Sequence, residues 1–220
     1  MSDLAITSLN SSWVNYLCQH RLIAVIRCDN FGLALSMAKA IASAGISLIE
    51  VTWNSSQPQL LVSQLKAELP NCVIGVGTIL TLEQLKDAIN CGAEFVFSPH
   101  VHLPLIELAL AMNIPIIPGA LSPTEIVTAY HAGASSVKVF PIQAVGGVNY
   151  IKTLQGPLTK IPLIPTGGVT FENAVDFIKA GAIAVGLSSQ LFPSELLLNQ
   201  DWVNITRRAS ILQQNLLELR

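Results

Sequence analysis

The sequence predicts an α/β fold of the (β/α)8 TIM-barrel class, eight parallel strands closed on themselves inside a ring of helices, with an extra N-terminal helix. Three observations predict it. Short apolar runs alternate with amphipathic stretches along the whole 220 residues, giving eight strand–helix repeats. The strand runs are near-continuously apolar, as strands buried on both faces are. The first of them ends Arg27-Cys28-Asp29 and lacks the glycine fingerprint that opens a doubly wound nucleotide-binding sheet.

The elements follow in order. A short helix precedes the first strand, which covers 22–27. A helix over 31–44 starts at Asp29 or Asn30 and stops at Ala44-Gly45. The second strand, 47–53, alternates: Leu48, Glu50 and Thr52 share one face, Ile49, Val51 and Trp53 the other. A helix over 57–69 leads to the third strand, 72–77. Thr81-Leu82-Glu83-Gln84 has capping-box spacing for a helix over 82–91, which ends at Cys91-Gly92. Strands at 94–98 and 115–118 flank a helix over 103–112. Ser122 caps a helix over 123–131, closed by Ala132-Gly133. The sixth strand, 135–140, sets Ser136, Lys138 and Phe140 opposite Val137 and Val139. A helix over 147–154, a strand at 161–166, a helix over 171–180 behind Thr170, a strand at 182–187 and a last helix over 201–219 complete the chain. No linker or low-complexity tract interrupts it, so residues 1–220 read as one domain.

Composition narrows the function classes. Charged residues make up 12% of the chain, hydrophobic residues 51%, and the net charge is −2. That leaves no basic footprint for nucleic acid or an anionic membrane. No apolar run reaches the ~18 residues of a spanning helix. The first 21 residues lack a basic segment followed by an apolar one, so no secretory signal is expected. Cys18, Cys28, Cys72 and Cys91 have no C-x-x-C spacing, and a reduced, cytoplasmic protein is expected.

The polar residues converge. If the apolar faces of the second and sixth strands meet the helices, Glu50 and Lys138 point into the barrel. Burial disfavours the ammonium form, and a neutral lysine is the nucleophile that forms Schiff bases with carbonyls. The alternatives are a snorkelling lysine or a buried ion pair with Glu50. Thr78 and Thr166 stand at the ends of the third and seventh strands, where barrels place catalytic groups. Gly167-Gly168 and Ser188-Ser189 follow the seventh and eighth strands, where backbone N–H groups frequently hold a phosphate. His100 and His102 are the best metal candidates, one residue apart, without adjacent Asp or Cys partners.

Taken together, Ile49-Glu50-Val51-Thr52, Gly75-Val76-Gly77-Thr78, Ser98-Pro99, Ile117-Pro118-Gly119, Val137-Lys138-Val139-Phe140-Pro141 and Pro165-Thr166-Gly167-Gly168-Val169 resemble the 2-keto-3-deoxy-6-phosphogluconate (KDPG)/4-hydroxy-2-oxoglutarate (KHG) aldolases. The resemblance runs from about Leu22 to Phe192. It implies a class I aldolase, usually a homotrimer, that uses neither metal nor cofactor. It makes Lys138 the Schiff-base lysine and Glu50 the general acid/base. Thr78, Pro99 and Phe140 would line the pyruvate pocket. Thr166, Gly167 and Gly168 would contact the rest of the substrate, and Ser188 or Ser189 would hold its phosphate. The small-molecule partners so implied are a phosphorylated keto acid and pyruvate.

One departure stands out. Many members carry an arginine four residues after the glutamate, where this chain has Asn54. Arg27 is the candidate replacement; a surface pair with Asp29 is the alternative. Asn54-Ser55-Ser56-Gln57 is similar to the galactonate-type aldolases of the family, whereas Thr166 is similar to the gluconate type. The competing readings are the 6-phosphogalactonate-type aldolase and a metal-dependent barrel lyase or hydrolase using His100 and His102.

Overall fold

The structure, a computed structural model, describes residues 3–219. Its order is α1 (Asp3–His20), β1 (Leu22–Ile26), α2 (Phe31–Ser43), β2 (Leu48–Thr52), α3 (Pro58–Glu68), β3 (Val73–Gly77), α4 (Leu82–Asn90), β4 (Val96–Ser98), α5 (Leu103–Ala111), β5 (Ile116–Ala120), α6 (Pro123–His131), β6 (Val137–Val139), a 3-10 turn (Ile142–Val145), α7 (Val148–Leu158), β7 (Leu163–Pro165), α8 (Ala174–Lys179), β8 (Val185–Leu187), α9 (Ser194–Leu198) and α10 (Trp202–Leu217). Every strand forms within three residues of its expected ends. The N-terminal helix is not short: it runs 18 residues. The 3-10 turn and α9 were not expected, and α7 continues past Leu154 to Leu158.

All strand pairs are parallel, in the order β7-β6-β5-β4-β3-β2-β1-β8. The ring closes between the ends of that list. Thr166 bridges Gly186, and the Ile183 N–H donates to the Leu163 carbonyl at 3.1 Å. The strands are short, yet each is locked by neighbours on both sides, so no free edge remains among the described residues.

Strand alternation divides the apolar side chains in two. One cluster lies between sheet and helices and includes Ile49, Val51, Val137 and Val139. The other fills the lumen: Ile23, Leu48, Phe95, Phe97, Ile117, Ile164 and Ala184 close on Trp13 and Leu17 of α1. The N-terminal helix is therefore a plug for the N-terminal end of the barrel. Trp13 lies 5.0 Å from Phe95, and Phe95 meets Phe97 edge-on at 5.8 Å. Each such buried side chain contributes about 1.5–3 kcal/mol of transfer free energy.

The caps explain where helices begin. Asn30, not Asp29, accepts from the Leu33 N–H. Ser122 forms a complete capping box with Glu125. Thr81 accepts from the Gln84 N–H, but the Gln84 amide reaches back to Leu80 N–H rather than to its own cap. Thr170 accepts weakly from Asn173 N–H at 3.4 Å, and the regular helix starts only at Ala174.

Candidate active site

Toward the C-terminal ends of the strands the lumen changes character. Glu50 lies two residues after Leu48 on β2, and Lys138, on β6, lies two residues after Ser136, which precedes the strand. β2 and β6 stand four strands apart in a ring of eight, so the two side chains enter the lumen from opposite walls. The carboxyl has room because of Gly77 on the adjacent strand. A β-carbon at Gly77 would overlap the Glu50 carboxyl. Glu50 is 2% exposed and Lys138 7%.

The two charged heads are not locked together. Among the described residues the ion pairs within 4.0 Å are Lys39–Glu68 and Lys66–Glu94, both on the outer surface. Lys138 Nζ instead sits 4.8 Å from the centroid of Phe140 and 5.5 Å from that of Phe97. Such contacts favour the ammonium, as does Glu50 across the lumen. Burial outweighs them and, with the nearby Arg27 charge, pulls the lysine below its ordinary value. Burial likewise holds the Glu50 carboxyl above its ordinary value, opposed by Lys138 and Arg27. Both groups are thereby moved toward their neutral forms. Perturbations of this kind mark groups that exchange protons or act as nucleophiles.

Around them lies a cavity of about 250 Å³ at the C-terminal end of the barrel. It brings together nearly all the residues that the sequence singled out: Arg27, Glu50, Thr78, Pro99, Lys138, Phe140, Thr166, Gly167, Gly168, Ser188 and Ser189. Thr166 Oγ1 is buried without a hydrogen-bond partner. Arg27 is exposed at the rim, with no carboxylate within 4.0 Å among the described residues, so the Asp29 pair does not form. Asn54 is exposed in the turn after β2 and does not line the cavity.

The loops that carry the rim are stitched to one another. Ser55 Oγ accepts from the Cys28 N–H at 3.2 Å and pairs with Thr52 Oγ1 at 3.0 Å; Ser56 N–H donates to the Cys28 carbonyl at 2.9 Å. The residue after Arg27 is thus fixed at both its backbone groups to the exit of β2. On the far side, the Thr166–Gly186 bridge directs the Gly167 N–H at the Gly186 carbonyl, while the backbone N–H groups of Gly168, Ser189 and Gln190 donate to no acceptor among the described residues. Free N–H groups lining a cavity form an anion site.

Val25, Val169, Gly186 and Gln190 also line the cavity, though none of them was given a role of its own from the sequence. For two of them the signal was present. Val25 precedes Arg27 by two on β1, and Gly186 precedes Ser188 by two on β8, so alternation puts each on the inner face. His100 and His102 have other places. His100 is exposed, and His102 caps α5, its Nδ1 accepting from Leu105 N–H at 3.3 Å. No group of three or more His, Cys, Asp or Glu side chains arranged to hold a metal occurs among the described residues. No helix among them is long and apolar enough to cross a membrane.

Comparison with known proteins bears on this geometry. The model of the family "KDPG and KHG aldolase" matches residues 14–208. The 2-dehydro-3-deoxy-phosphogluconate aldolase of Haemophilus influenzae is 34% identical over 194 residues, covering 88% of this chain and 92% of that protein. The KHG/KDPG aldolase of Escherichia coli K12 is 30% identical, over 86% and 88% respectively. The KDPG aldolase of Legionella pneumophila superposes with a TM-score of 0.83 at 28% identity, over 90% of this chain and 97% of its own. In that crystal structure pyruvate was captured at low pH as a covalent carbinolamine intermediate.

Proposed function

The chain belongs to the family of KDPG and KHG aldolases, lyases of carbon–carbon bonds, and from that premise we propose that it runs a class I reaction through Lys138. The observation that carries this reading is a buried lysine, moved toward its neutral form and unlocked from its carboxylate, inside the cavity at the barrel mouth. The covalent pyruvate carbinolamine of the Legionella protein supports it.

In the reaction so proposed, the neutral Lys138 amine attacks the C2 ketone of the substrate. The carbinolamine loses water and becomes an iminium. Glu50, acting through a water, takes the proton of the C4 hydroxyl. The C4 oxygen becomes the aldehyde carbonyl, the C3–C4 bond breaks, and its electron pair passes to the iminium to give an enamine. Glu50 returns the proton to C3, and hydrolysis frees pyruvate and Lys138. With 2-keto-3-deoxy-6-phosphogluconate the second product is glyceraldehyde 3-phosphate; with 4-hydroxy-2-oxoglutarate it is glyoxylate. Thr78, Pro99 and Phe140 line the end where the keto acid reacts. Arg27 and the free N–H groups of Gly168 and Ser189 receive the phosphate, with Gly167 in the same loop. Thr166 lines the cavity and Asn54 does not, which favours the gluconate epimer. The Asn54-Ser55-Ser56-Gln57 run keeps the galactonate epimer as the second reading.

Borohydride reduction in the presence of pyruvate tests the chemistry. A reduced pyruvate adduct mapped to Lys138, and absent from Lys138→Ala, is the expected result. A folded protein that forms no adduct at saturating pyruvate overturns the class I assignment.

A further inference from the structure

The loop after β7 carries Gly167 and Gly168 at φ of 76° and 115°. Three consecutive carbonyls of this stretch are tethered. Thr166 O accepts from Ile142 N–H at 3.0 Å, Gly167 O from Gln143 N–H at 3.1 Å, and Gly168 O from Nδ2 of Asn173 at 3.0 Å. In a trans peptide the C=O and the following N–H point in opposite directions. Holding these carbonyls turns the N–H groups of Gly167, Gly168 and Val169 away from the tethers. All three residues line the cavity; the Thr166–Gly186 bridge directs the Gly167 N–H at the Gly186 carbonyl, and the N–H groups of Gly168 and Val169 find no acceptor among the described residues.

The first two tethers are backbone bonds, and only the third depends on a side chain. Asn173 uses both ends of its amide: Nδ2 holds Gly168 O, while Oδ1 accepts from Thr170 N–H at 2.8 Å. It grips the loop on both sides of Val169. We propose that Asn173 is a positioning residue for the substrate's phosphate, fixing the last peptide plane of an anion-binding nest that it does not itself line. A nest binds through the alignment of its N–H dipoles, so the loss of one tether weakens the anion without touching the lysine chemistry. The proposal rests on the aldolase reading for its substrate. The bland alternative is that Asn173 merely starts α8.

The test compares Asn173→Ala with Thr170→Val. The second variant removes the Thr170 hydroxyl, which accepts from Asn173 N–H and also bonds the Glu172 carboxylate, and leaves the Gly168 tether in place. Three quantities are read: KM and kcat for 2-keto-3-deoxy-6-phosphogluconate, the rate of borohydride trapping of pyruvate at Lys138, and the Kd of inorganic phosphate by calorimetry. Asn173→Ala is expected to raise KM and the phosphate Kd on the order of tenfold, while pyruvate trapping stays within about twofold. Thr170→Val is expected to leave the phosphate Kd within about twofold. An unchanged phosphate Kd in Asn173→Ala overturns the proposal. So does an equal loss in Thr170→Val, or a fall in trapping as large as the fall in cleavage. If the unaltered protein fails to trap pyruvate, the aldolase reading fails instead, and the phosphate measurement still decides the role of Asn173.

Discussion

The two ends of the barrel lumen are built by the same strands to opposite effect. At the N-terminal end Ile23, Leu48, Phe95 and Ile164 close on Trp13 and Leu17 in one apolar cluster. Two residues further along, the same inner faces carry Glu50 after Leu48 and Thr166 after Ile164. Glu50 and Lys138 are nearly as buried as the phenylalanines below them, yet among the described residues they form no ion pair within 4.0 Å. Burial at the plug stabilises the fold. Burial at the mouth works against the charged forms of two side chains and leaves them reactive. Functional groups on one rigid frame are thus supported by a layer that carries none of the chemistry.

The plug should show the largest effect on stability. Phe95 is fully buried and touches Trp13, Phe97 and the face of β3 at Gly75. Phe95→Ala should cost about 3–5 kcal/mol in urea denaturation, the sum of lost transfer energy and a cavity that the closed ring cannot collapse. A loss under about 1 kcal/mol would show that α1 and the lumen are loosely packed.

The mouth should respond with the opposite sign. Replacing Lys138 by Met together with Glu50 by Gln removes both desolvated charges at similar volume. The double variant should be more stable than the parent by about 1–4 kcal/mol, and inactive. The pH dependence gives the sign check. The folded Glu50 pKa is raised, so the parent loses stability as pH climbs from 4.5 through that folded value. The folded Lys138 pKa is lowered, so its cost is full below that value and fades as pH rises toward 10.5. The advantage of the double variant should therefore grow through the first window and shrink through the second. A double variant less stable than the parent at neutral pH would mean that the pair stabilises the mouth, and the comparison would fail.

How much of this was legible in the sequence depends on the kind of signal. The inward faces of β2 and β6 were readable because alternation with period two is local, and Leu48-Ile49-Glu50-Val51-Thr52 states it in five residues. Gly77 was legible as part of a motif but not as the space for the Glu50 carboxyl, which needs the register Thr52 to Gly77. The length of α1 was missed because its polar Asn10-Ser11-Ser12 stretch does not read as helix; it is held by Trp13 and Leu17 docking under the barrel. Asn54 was picked by its offset from Glu50, and no periodicity says which way a turn faces. Ser55 to Cys28 and Asn173 to Gly168 join loops across the rim, and nothing in the local sequence encodes such bonds.

The smallest effect tests how far the mouth is tuned from its rim. The Arg27 charge lowers the pKa of both Lys138 and Glu50. The proposed reaction needs a neutral amine and an ionised carboxylate, so both groups must have lost their protons. Removing the charge in Arg27→Gln lets both values rise. The acid limb of the kcat/KM profile should then move to higher pH. Ser55→Ala should move it the same way and less far. It leaves Arg27 in the chain but takes away the hydroxyl that fixes the Cys28 N–H, a bond worth about 1 kcal/mol. A profile that stays in place in Arg27→Gln would mean that Arg27 meets the substrate but does not tune the pair. Burial alone would then set the protonation of the mouth, and the rim would serve only to hold the anion.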